Sequence, residues 1–258
     1  MKHEIEDNMI DNELVGRTAV VTGASRGIGR GVSIALAAAG ARVIGLARSS
    51  DRLDAVATDI GDAFAPVAAD AIDPELAKSM LAEHRPDVLV LNAGASPPLL
   101  PIHEQTWDSF TANWTVDTRH VFEWIRAALR LPLRPGSVVI AMSSGAALRG
   151  SPLSGGYAPA NAAIRFISSY AAEESERASL GIRFRTLFPQ LTPNTQLGAA
   201  AVAGYAGRQG IPVETFAKNF EPALTPEQVG AAVIELVRTN DPSREFLISG
   251  HSLRQVPQ

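Results

Sequence analysis

From Arg17 onward the chain alternates two hydrophobic periods. Short runs of β-branched and aliphatic residues, "TAVVT" (18–22), "ARVIGLA" (41–47), "FAPVAA" (64–69), "DVLVLN" (87–92), "SVVIAM" (137–142), "IRFRTLF" (182–188) and "EFLIS" (245–249), are separated by longer segments with helical spacing. The helical segments include 29–39, 74–84, 107–131, 158–180 and 226–239. A strand followed by a helix and another strand returns in the same direction, so this alternation predicts an α/β fold with a parallel sheet of seven strands, doubly wound, with helices on both faces.

A chain of 258 residues is long enough to bury a sizeable core as one unit. The reading is one domain over 17–258, preceded by an acidic, flexible tail over 1–16, with an Ala- and Gly-rich helical insertion near 190–222 on the substrate side. No apolar run reaches the roughly 18 residues of a membrane span, and the first residues lack the apolar core of a signal peptide. There is no cysteine, which fits a reducing cytoplasm. The formal charge of −4 and the absence of a Lys/Arg block argue against nucleic acid as a partner. Lysine occurs only as Lys2, Lys78 and Lys218, which narrows the candidates for any lysine-dependent chemistry. His3, His84, His103, His120 and His251 share no metal-ligand spacing, so no metal is expected.

The first strand runs into "TGASRGIG" (22–29) and then directly into a helix. A strand, a glycine-rich turn and a helix N-terminus together form an anion site: Gly23 permits the turn, Gly27 admits a pyrophosphate to the backbone and Gly29 allows close helix packing. The context is that of a Rossmann dinucleotide turn, and Gly23, Ser25, Arg26, Gly27, Ile28 and Gly29 are its expected contacts.

Together with "NAG" (92–94), the serine pair Ser143 and Ser144, and a helix led by Tyr157, this turn resembles the short-chain dehydrogenase/reductase family over about 17–250. The resemblance implies an NAD(P)-dependent oxidoreductase acting on a small carbonyl or alcohol, assembled as a homodimer or homotetramer. It also implies that Asp70 meets the adenine edge and that Asn92, Ala93 and Gly94 line the adenosine side. Where an acidic residue would bind a ribose 2'-hydroxyl, the second strand ends in Ala47 followed by Arg48, and Arg26 lies in the turn. Two guanidiniums without a carboxylate favour a 2'-phosphate, hence NADP(H) over an admissible NAD(H).

By the same resemblance, a tetrad of Asn, Ser, Tyr and Lys transfers hydride with a proton relay. Ser144 and Tyr157 match the serine and tyrosine. The lysine position holds Asn161, and the asparagine position falls either on Asp117, which better fits the pattern before "RHVFEW", or on Asn113 one turn earlier. After the sixth strand "FPQLTPNT" keeps Pro189, puts Gln190 where a glycine is usual, and offers Thr192 or Thr195 to the nicotinamide end. A cation about 4 Å from a phenol contributes on the order of 4 kcal/mol at an effective dielectric of about 20, roughly three pKa units. Asn161 can bond a ribose but supplies no such field, and Arg165 lies too far along the helix to replace it. Carbonyl reduction starts from the neutral phenol, whereas alcohol oxidation needs phenolate, so reduction better tolerates the change. The loops 95–101 and 147–156 carry little charge besides Arg149, which points to a largely apolar substrate. The rival reading is a catalytically impaired dinucleotide-binding regulatory or structural protein on the same fold.

Overall fold

The computed structural model describes residues 13–256. Its elements, in chain order, are β1 (Thr18–Thr22), α1 (Gly27–Ala38), β2 (Arg42–Ala47), α2 (Ser50–Ile60), β3 (Phe64–Ala68), α3 (Pro74–His84), β4 (Val88–Leu91), α4 (Trp107–Asn113), α5 (Arg119–Arg130), β5 (Val138–Met142), α6 (Tyr157–Arg177), β6 (Arg183–Pro189), α7 (Gln196–Gln209), α8 (Val213–Ala217), α9 (Pro226–Arg238), β7 (Glu245–Ile248) and β8 (Leu253–Gln255). The sheet order is β3-β2-β1-β4-β5-β6-β7-β8. All seven expected strands are present and parallel, and the α/β, helix-covered architecture is as the sequence predicts. The sheet has an eighth strand that was not expected: β8 folds back antiparallel on β7, pairing Phe246 with Gln255. Three residues with one half-buried side chain carry no readable period, so β8 exists only through its pairing with β7.

Because interior strands are buried on both faces, alternate residues feed two separate apolar layers. Ala19, Val21, Val43, Val88, Val90 and Ile140 face α1, α2 and α9, meeting Val32, Leu36, Leu53, Val229, Val233 and Leu236. Val20, Ile44, Leu89, Leu91, Val139 and Ala141 face α3, α5 and α6, meeting Met80, Leu81, Val121, Trp124 and Ile164. Helix starts follow local chemistry: Asp73 caps α3 through the Glu75 N–H, and Thr225 with Gln228 forms a capping box ahead of Pro226 at α9. Helices α1 and α9 approach so closely that a Cβ on Gly31 would lie 2.6 Å from the Pro226 carbonyl oxygen.

Of the expected tail, residues 1–12 lie outside the described residues. Residues 13–16 form a turn that is anchored: Leu14 is buried in the α1 layer, its N–H donates to the Ala39 carbonyl, and Glu13 pairs with Arg238 at 2.6 Å. Leu14 thus supplies an apolar side chain to that layer ahead of Arg17. Among the described residues no helix is long and apolar enough to cross a membrane.

Candidate active site

The strand order reverses between β1 and β4, and in open α/β sheets the crevice at such a switch point is where ligands bind. A cleft of about 1160 Å³ opens there, across the carboxyl ends of β1, β2, β4, β5 and β6.

The cofactor end is built on the turn after β1. Gly23 has φ 69, in the left-handed region, and a Cβ there would also lie 2.9 Å from Ala93 Cα. Gly29 sits beneath the cleft rather than lining it: a Cβ would come within 2.2 Å of the Gly23 carbonyl oxygen, so the turn closes only over a glycine. The turn is tied to the end of β4. The Thr22 hydroxyl accepts from the Asn92 and Ala93 N–H groups at 2.9 and 3.1 Å, and the Asn92 amide donates to the Thr22 and Gly23 carbonyls. No side chain caps α1 and its first turn holds no acid, so its leading N–H groups are open to an anion.

Ser25, Arg26, Gly27, Ile28, Arg48, Asp70, Asn92, Ala93 and Gly94 all line the cleft. Arg26 reaches across it to the Gln196 side chain, and Asp70 accepts from the Ile72 N–H at 3.3 Å. The structure adds Arg52, in the first turn of α2 and lining the same end; with α2 itself unread in the sequence, nothing there placed it beside Arg48. These donors and the open helix end fit a phosphate-bearing dinucleotide. Gly27 faces Thr195, the N-cap of α7, with an added Cβ 3.7 Å from its methyl, so the turn and α7 form opposite walls.

At the other end the cleft holds Ser144, Tyr157, Asn161 and Asp117. Ser144 follows β5 and its hydroxyl accepts from the Ala146 N–H at 3.1 Å. Ser143 is turned inward, donating to the Asn161 carbonyl at 3.0 Å and so fixing the start of α6 against β5. Tyr157 is the first residue of α6, where Pro159 two positions later disturbs no established helical bond. Burial is the main influence on its phenol and raises the pKa above the ordinary value; the Ser144 hydroxyl lowers it, the Asp117 charge raises it and the Asn161 amide lowers it. The phenol is therefore neutral at neutral pH. Asn161, 3% exposed, donates back to the Tyr157 carbonyl at 3.0 Å, which fixes the amide at the cleft wall. Arg165, the first cation after Tyr157 on α6, is committed to a two-point pair with Glu245 at 2.6 and 2.7 Å.

Asp117 and Asn113 occupy distinct places. Between α4 and α5 the helix widens into a π-helical segment, Trp114–Thr118, and this turns Asp117 into the cleft. Asn113 lies behind it, fully buried and off the cleft. The two clasp one residue of the 92–98 loop: Asp117 accepts from the Ala95 N–H at 2.7 Å, and the Asn113 amide donates to the Ala95 carbonyl at 2.9 Å and to Asp117 at 3.0 Å. Burial nevertheless dominates, pushing the carboxyl up to about 6 against those two donors. His120, one turn on, also lines the cleft and was not foreseen; a lone histidine in an apolar stripe gives no signal. It is buried against Trp124, its ring nitrogens make no hydrogen bond of ordinary geometry, and burial pushes its imidazole down to about 3, so it is neutral.

Pro189, Thr192 and Thr195 line the floor after β6. Thr192 donates to the Gln190 carbonyl at 3.2 Å, while Thr195 accepts from the Gly198 N–H as it caps α7. Tyr205 stacks on Phe216 at 6.0 Å, Phe216 packs on Phe220 at 5.5 Å, and all three face the cleft beyond Tyr157. Among the described residues no group of three or more His, Cys, Asp or Glu side chains converges as a metal site would require.

The family described as short chain dehydrogenase matches residues 17–205. An uncharacterised short-chain type dehydrogenase/reductase, y4eK, of Sinorhizobium fredii is 33% identical over 233 residues, covering 86% of this chain and 91% of the relative. A 3-oxoacyl-[acyl-carrier-protein] reductase of Synechocystis is 33% identical over 186 residues, 68% of this chain and 74% of the relative. An L-xylulose reductase of Bos taurus is 34% identical over 143 residues, 55% of this chain and 58% of the relative.

Proposed function

The chain belongs to the short-chain dehydrogenase family, and from that premise we propose that it is an NADP(H)-dependent carbonyl reductase acting on a small-molecule carbonyl, or on the corresponding secondary alcohol in reverse. The observation that carries this reading is the neutral phenol of half-buried Tyr157 beside the Ser144 hydroxyl, in the same cleft as the glycine turn. When bound, the nicotinamide dinucleotide supplies or accepts the hydride. The protein's part is to hold the carbonyl oxygen between the Ser144 and Tyr157 hydroxyls and to pass the phenolic proton to that oxygen as negative charge builds on it. A phenol held above its ordinary pKa suits this donor role and opposes the phenolate that oxidation needs, which favours reduction.

Asp117 takes the tetrad's asparagine position in this proposal, orienting the 92–98 loop through Ala95, and Asn161 takes the lysine's place as a ribose ligand without its charge. Arg48 and Arg52 would meet the 2'-phosphate, which sets NADP(H) above NAD(H). The helices α7 and α8 would cap the substrate. A homodimer or homotetramer is supported by exposed Phe122 on α5 and Phe166 and Tyr170 on α6, and a cytoplasmic setting fits the lack of cysteine.

The test is a panel of ketones and aldehydes with NADPH and NADH, followed at the nicotinamide absorbance. Turnover that vanishes in Tyr157→Phe while cofactor affinity stays within about twofold is the expected result. Cofactor binding without turnover across the panel would instead favour a dinucleotide-binding regulatory protein, the reading that Asn161 and Asp117 would then explain.

A further inference from the structure

The cleft's charges are unevenly distributed. Arg26, Arg48, Arg52 and Asp70 gather at the dinucleotide end. Asp117 is bound to Ala95 and Asn113. Past Tyr157, among the side chains that line the cleft, Arg149 is the single remaining charge. Arg149 makes no ion pair and no side-chain hydrogen bond among the described residues, although its backbone is held by a bond from its N–H to the Gly145 carbonyl at 3.2 Å.

Its position is also fixed from the other side. Two residues on, the Ser151 hydroxyl bonds the Ser154 hydroxyl at 2.8 Å and the Tyr205 hydroxyl, tying this loop to α7. The loop that carries Arg149 is thus anchored at both ends, and the cleft that Arg149 lines is lined as well by an apolar wall of Leu99, Leu197 and the Tyr205–Phe216–Phe220 stack. An apolar wall beside one unpaired guanidinium is complementary to a ligand that is apolar along its length and negative at one end.

We propose that the substrate, under the carbonyl-reductase reading on which this inference rests, bears an anionic group, carboxylate or phosphate, that pairs with Arg149 while its apolar body lies along that wall. Arg149 then sets specificity rather than chemistry: the anion fixes how far the molecule enters and so which carbon reaches Tyr157.

The test separates binding from turnover. Octanoate, octyl phosphate and octanamide are titrated calorimetrically into the full chain saturated with NADP, with far-UV circular dichroism as the folding control. At least one anion is expected to bind about tenfold more tightly than the amide, the gap narrowing at high salt. Arg149→Ala should bring that anion to the level of the amide, and Arg149→Lys should retain most of the preference. Which anion binds more tightly identifies the group. Parity of all three, no binding by either anion in the millimolar range, or a preference that survives Arg149→Ala overturns the proposal. Because binding needs no hydride transfer, an inactive protein that keeps the preference fails only the redox reading, and an active one that lacks it fails only this one.

Discussion

Asp117 is a carboxylate buried to 5% exposure with two hydrogen-bond donors, and it is replaced most simply by its amide. Its pKa is pushed from 3.8 to about 6, chiefly by burial. The folded protein therefore holds this proton more tightly than the unfolded chain does, and unfolding releases it between those two values. Stability from this group is present below about pH 4 and is lost as pH rises through about 6. A shift of about two units at about 1.4 kcal/mol each amounts to about 3 kcal/mol, of which about 2 kcal/mol falls between about pH 4.5 and about pH 8. Asp117→Asn keeps an oxygen for the Ala95 N–H but has no charge to bury. Urea unfolding of both proteins at the two pH values reads the effect, since every other titrating group is common to them. The variant should gain about 2 kcal/mol on the native protein between acid and alkaline conditions. A difference between the two proteins that does not change with pH would refute the claim that burial, rather than the clasp on Ala95, governs this carboxyl.

Three further outcomes are expected. NADPH should bind more tightly than NADH by roughly 1.5 to 3 kcal/mol, with Arg48→Asp reversing the order; calorimetric parity between the cofactors would remove the 2'-phosphate assignment. Asn161→Lys should bring a cation to Tyr157 and lower its phenol pKa, so alcohol oxidation near neutral pH should rise more than carbonyl reduction, as initial rates in both directions against pH will report. Gly29→Ala forces a methyl to within 2.2 Å of the Gly23 carbonyl, and it should cost roughly 1 to 3 kcal/mol in urea unfolding together with most of the dinucleotide affinity.

The parts of this architecture that could be read in advance are those whose signal is local. Interior parallel strands must be apolar on both faces, so "TAVVT" and "DVLVLN" declare themselves, and the glycine turn follows from backbone geometry that no other residue fits. The helix α2 was not among the helices expected, because only Leu53 and Val56 of its residues are buried and Asp51, Asp54 and Asp59 break any clear apolar stripe. At the chemical end, the resemblance to the family pointed to Ser144, Tyr157 and Asn161, and all three line the cleft. Whether Asp117 or Asn113 reached the cleft could not be read in advance, since that depends on a π-helical widening set by the packing of α4 and α5 on the 92–98 loop. The Tyr205 contact with Ser151 spans 54 residues, and no local pattern announces it.

The close approach of α1 and α9 bears on the order in which the protein can be completed during synthesis. The helix whose open end faces the dinucleotide cleft rests its Val32 and Leu36 in the same layer as Val229, Val233 and Leu236, and its backbone nearly touches Pro226. A nascent chain that has emerged through residue 205 carries the whole stretch matched to the family, with the glycine turn, Ser144 and Tyr157 all included, yet α1 still has a bare apolar flank. Until the last fifth of the chain leaves the ribosome, that flank is a surface for chaperones or for aggregation, so truncations that spare every motif should be insoluble rather than merely inactive.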